Sequence, residues 1–97
     1  MTALVWRETA LTDLEAIHGY VAVRDPAAAD RLQEIFETSA ERLAEHPFMY
    51  RRGRADGTRE AVVHPNYILI YRVGIDAVEI LNVVHARQRY PEASAPR

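Results

Sequence analysis

His85, Arg87, Arg89 and Tyr90 fall within six residues, directly after an apolar, β-branched run. Their types are those that hold or cleave a phosphodiester. In-line attack of a 2′-hydroxyl on phosphorus needs a base, an acid and cations to stabilise the extra charge. An imidazole, a phenol and two guanidiniums supply those types. On a regular strand His85, Arg87 and Arg89 share one face, which predicts a basic ridge with no base poised against a second group. A non-catalytic docking surface and a strand exit decorated with solvated arginines account for the cluster equally well, and catalysis ranks behind both.

A second basic group is Arg51, Arg52, Arg54 and Arg59. By charge it is the best candidate for contacting phosphate or an acidic partner, although such a loop is also an ordinary place for solvated charge. The net charge of −2 hides this asymmetry: residues 1–50 carry four Arg against nine acids, residues 51–97 eight Arg against five. All 12 basic residues are Arg; codon bias explains the missing Lys, but not the clustering. His18 and His46 have no partner at metal-ligand spacing and there is no cysteine, so neither a metal, a cofactor nor a disulfide is expected. His64-Pro65-Asn66 is sufficiently explained as a turn. Tyr67 and Tyr71 share one strand face, to stack on bases or, as better fits, to pack under helices or line the groove of a protein partner.

The elements that must position these groups can be read from the pattern. Ninety-seven residues, 48% of them hydrophobic, make one domain spanning 1–97 with a modest core. Residues 2–7 read as a strand. Thr9 is the expected N-cap of a helix whose stripe is Leu11, Leu14, Ile17 and Val21. Asp25-Pro26 restarts a second helix, with Ala28, Leu32, Ile35, Phe36, Ala40 and Leu43 inward and Asp30, Glu34, Glu37, Glu41 and Glu45 outward. Pro47 stops it. Residues 47–58 read as a polar loop, and three strands follow at 59–63, 67–73 and 78–85. The run 67–71 is apolar without alternation, as in a central strand covered on both faces. The fold class is α+β, in the order β-α-α-β-β-β, with a helical hairpin packed on a small, mainly antiparallel sheet. No basic-then-apolar leader opens the chain and no apolar run approaches the ~18 residues of a membrane span, so a cytoplasmic location without membrane contact is expected.

The order of elements, with ALTDLEAI at 10–17, RLAEHP at 42–47, REAVV at 59–63, YILIYRV at 67–73 and VEILNVVH at 78–85, resembles the RelE/ParE superfamily of type II toxin–antitoxin toxins over nearly the whole chain. The stretch from His64 to Pro91 looks most like the ParE branch, in particular a group found in three-component operons. The resemblance implies a toxin that arrests growth by docking on the replication machinery, DNA gyrase in the ParE branch, without specific DNA binding or catalysis of its own. It also implies an antitoxin whose disordered, acidic-amphipathic segment folds on the toxin. His85, Arg87, Arg89 and Tyr90 are then the docking residues, and Arg51, Arg52, Arg54 and Arg59 the phosphate or antitoxin contacts. The alternative is a ribosome-dependent mRNA endonuclease of RelE type. Such nucleases usually carry an Arg three residues before the Tyr of the central strand, where this chain has Ile68 before Tyr71. Arg51, Arg52, Arg54, Arg87 and Tyr90 are the remaining candidates for a nuclease site.

Overall fold

The computed structural model describes residues 3–87. Its elements are β1 (Ala3–Trp6), α1 (Glu8–Arg24), α2 (Pro26–Glu45), β2 (Arg51–Arg52), β3 (Arg59–His64), β4 (Tyr67–Val73) and β5 (Ala77–His85). The sheet order is β1-β5-β4-β3-β2. β1 runs parallel to β5 and every other pairing is antiparallel.

The turn into α2 is built as its sequence dictates. Asp25 is extended, its Oδ1 accepts the Ala28 N–H at 3.1 Å, and Pro26 opens the helix. From there Ala29, Leu32, Phe36, Ala40 and Leu43 recur at three- and four-residue steps and are buried. Ile35 departs from the expectation: it is 38% exposed, at the rim of the helix–sheet contact. The five acids of the outer face are exposed. His18 Nε2 and Asp30 Oδ1, 3.0 Å apart, tie α1 to α2.

α1 corrects the sequence reading twice. It begins at Glu8 behind Arg7, without a side-chain cap. Thr9 lies inside the helix, and its hydroxyl donates to the Leu81 carbonyl at 2.5 Å. Leu11, assigned to the inward stripe, is 48% exposed, and only Ala10 of α1 is fully buried. Both differences have one cause. β1 has four residues and β5 nine, so their pairing stops at Trp6 opposite Ile80, and α1 covers the β5 edge beyond. There Asp13 Oδ2 accepts the Val83 N–H at 2.9 Å and the Asn82 Nδ2–H at 3.0 Å. The helix thereby satisfies strand groups that a bare edge would offer to another chain. The register shift between Ile70 and Tyr71 leaves Leu81 as the extra residue of a bulge, and Ile80 and Val83 both join the core.

β4 is the central strand, and Ile68 through Tyr71 are all buried. Leu69 and Tyr71 belong to the core under the helices. The alternation of a strand turns Ile68 and Ile70 to the opposite face. Tyr71 donates its hydroxyl to the Pro47 carbonyl at 2.9 Å, fastening the chain just after α2 to the sheet. Burial raises the Tyr71 pKa above the ordinary tyrosine value of 10.0, partly offset by the Arg59 guanidinium. The folded state therefore favours the neutral phenol. This contribution is full below pH 10 and is lost as the pH climbs through the raised value. Tyr71→Phe is expected to cost about 1–2 kcal/mol at neutral pH, by orphaning the Pro47 carbonyl, and to flatten the alkaline loss of stability. Urea unfolding at pH 8 and above pH 10 checks both; an equally steep alkaline loss in the variant contradicts the second.

β2 lies inside the segment read as loop. Arg51 pairs with Glu60 and Arg52 with Arg59. Two arginines carry no apolar alternation, so the strand has no sequence signal. It is held by Glu60, 4% exposed, whose carboxylate accepts from Arg51 Nη2 at 3.0 Å and from the Arg54 N–H at 3.1 Å. At Gly53 an added Cβ would come within 2.2 Å of Thr58 Oγ1, and Gly57 has a φ of +78°. Both glycines are required by the turn.

Candidate docking site at the end of β5

His85 closes β5 opposite Tyr67, the first residue of β4. The strand ends there: the Ala86 N–H donates to the Asn66 carbonyl at 2.7 Å, and the Arg87 N–H turns back onto His85 Nδ1 at 3.1 Å. The expectation that His85 and Arg87 share a strand face therefore fails, because Arg87 stands in a turn. Its side chain is exposed and makes no ion pair among the described residues. Arg89 and Tyr90 lie outside the described residues.

Tyr67 organises this end of the sheet. Its ring meets Phe36 at 5.5 Å edge-on, His64 at 5.6 Å and His85 at 5.4 Å between centroids. His64 Nδ1 accepts the Asn66 N–H at 3.0 Å, as His85 Nδ1 accepts that of Arg87. Each neutral imidazole thus carries its proton on Nε2. Beside the cluster, a groove of about 670 Å³ separates Asp13, Ala16, Ile17 and Tyr20 of α1 from Asn66, Tyr67 and the last residues of β5. The surface offers aromatic faces and an exposed guanidinium, that of Arg87, with no ion pair among the described residues. It suits docking on an acidic or aromatic surface. Among the described residues no group of three His, Cys, Asp or Glu could hold a metal.

The second basic group is elsewhere. Arg59 opens β3 and His64 closes it, five residue steps or about 17 Å apart. Arg51 is engaged with Glu60. Arg59 Nη1 donates to the Tyr50 carbonyl at 2.8 Å, with its guanidinium 4.9 Å from the Phe48 ring centroid. Arg54 contributes its backbone N–H to Glu60. Arg52 is exposed and makes no ion pair among the described residues. The structure thus keeps the loop arginines and the β5 terminus at opposite ends of the sheet.

Sequence reasoning missed Asp13 and the His64–Tyr67–His85 cluster. The one signal for Asp13 was Asn82, a polar residue in an apolar strand that needs a partner. The cluster needs the β3–β4–β5 register, which no local pattern encodes.

This helical hairpin on a five-stranded mixed sheet is the fold of the ParE and RelE toxins. The chromosomal ParDE toxin–antitoxin structure from P. aeruginosa superposes with a TM-score of 0.79 at 21% identity, covering 88% of this chain and 96% of that one. The RelBE2 toxin–antitoxin complex from Mycobacterium tuberculosis gives 0.60 at 24% identity, covering 87% and 96%. The chain belongs to the family described as ParE toxin of type II toxin-antitoxin system, parDE, whose model matches residues 4–90. It is also similar to toxin RelE2 of Caulobacter vibrioides, 42% identical over 88 residues, covering 89% of this chain and 97% of the relative.

Proposed function

We propose that this toxin arrests growth by docking on DNA gyrase, without catalysis of its own, and that a cognate antitoxin neutralises it. The observation that carries the reading is Ile68. It stands where the resemblance leads one to expect the phosphate-directed Arg of the RelE nucleases. It is 8% exposed and in register between Val62 and Val84, so both of its cross-strand neighbours are apolar. The separation of the loop arginines from the β5 terminus supports the same reading, since a nuclease site needs its cations around one phosphate. His85, Arg87, Arg89 and Tyr90 are the proposed target contacts, and Arg51, Arg52, Arg54 and Arg59 contribute to antitoxin binding or to the fold. Antitoxin partnership is supported by three structural neighbours that are toxin–antitoxin systems or complexes. No helix among the described residues is long and apolar enough to cross a membrane, and action on gyrase places the toxin in the cytoplasm.

The second reading, a translation-dependent mRNA endonuclease, is favoured by one observation, the 42% identity to a toxin named RelE2. Pulse labelling after tightly controlled induction separates the two. Thymidine incorporation is expected to fall first, with methionine incorporation continuing. Collapse of methionine incorporation within minutes, ahead of DNA synthesis, would establish the nuclease reading instead.

A further inference from the structure

We infer that the cleft between α2 and the β3–β4 turn seats the antitoxin, taking one large apolar side chain of an acidic-amphipathic segment, with a neighbouring carboxylate on Arg31. The inference rests on the proposed antitoxin partnership and adds its place and chemistry. The cleft holds about 310 Å³ and is lined by Val21, Arg31, Ile35, His64 and Tyr67, among others.

Three observations select an acidic-amphipathic occupant. Ile35 belongs by helical period to the inward face, yet it is left 38% exposed at this rim, an apolar surface that a partner could cover. Arg31 is exposed beside it and makes no ion pair among the described residues, and the neighbouring Asp30 is engaged with His18. The described lining contains no carboxylate, whereas the larger groove by α1 contains Asp13. With the His64 Nε2–H, the cleft presents a cation and a donor around an apolar floor. That is the complement of a segment carrying a large apolar residue next to Asp or Glu.

The probe is the product of the reading frame adjacent to this gene, purified and titrated onto the full chain. Arg31→Glu is expected to weaken binding about tenfold to a hundredfold by setting like charges together, and to reduce the salt dependence of the affinity. Ile35→Ser is expected to weaken it without changing the salt dependence, and serves alone if Arg31→Glu does not fold. Glu41→Arg, exposed on the same helix away from the cleft, is expected to bind no more weakly than the parent. Parental binding with unchanged affinity in the folded Arg31 and Ile35 variants overturns the cleft assignment and leaves the antitoxin partnership standing. Absence of binding by the parent itself overturns both.

Discussion

Arg87→Ala, Arg89→Ala and Tyr90→Ala, combined in one chain, are expected to abolish growth arrest while leaving antitoxin affinity largely unchanged. The physical case begins with Arg87. Its guanidinium is exposed just beyond β5 and has no ion pair among the described residues, so the fold gains little from it and its removal falls within about 0.5 kcal/mol. An exposed cation with no ion pair among the described residues is available to a target. Arginine and tyrosine are also the side chains that most often dominate a docking interface, and losing several adjacent ones removes several kcal/mol of association. Arg89 and Tyr90 enter from their types and their place in the chain. Plating under graded induction, with the chain quantified by immunoblot, gives the result. Arrest that persists at equal expression means that the docking surface lies elsewhere.

Phe36→Ala is expected to destabilise the domain by about 3–5 kcal/mol. Phe36 is 1% exposed and packs in the cluster of Leu32, Leu43, Leu69 and Tyr71. It also backs Tyr67 edge-on at 5.5 Å, a contact worth about 0.5–1.5 kcal/mol beyond the area it buries. Domains of this size are stable by about 5–15 kcal/mol, so the loss removes a large share of the total. Urea unfolding is expected to show a much lower midpoint with a similar slope. The consequence reaches the site as well: without Phe36, Tyr67 loses the support that holds it between His64 and His85. A change under about 1 kcal/mol would mean that the helix–sheet contact is not the centre of the core.

How much of this was legible in the sequence depended on whether a signal was local. α2 was legible because Asp25-Pro26 sets its start and the steps 32, 36, 40, 43 fix its face. β4 was legible because an unbroken apolar run has only one place in such a sheet. α1 was harder: it leans on a strand edge rather than on the middle of the sheet, so its period overstated the burial of Leu11 and its first threonine served β5 instead of the helix. β2 could not be seen, because its pairing rests on Glu60, nine residues from Arg51. Within the site, the β5 terminus was legible as charge following an apolar run. Its conversion from strand to turn at Ala86 was not, since that turn is set by the carbonyl of Asn66, twenty residues earlier.

The most direct test of the central claim is supercoiling of relaxed plasmid by purified DNA gyrase with the purified chain titrated in, run beside cell-free translation of a reporter mRNA. Docking on gyrase predicts that supercoiling falls as the chain is added, that antitoxin restores it, and that the reporter transcript stays intact. Full supercoiling together with a transcript cut only while it is being translated would contradict that account.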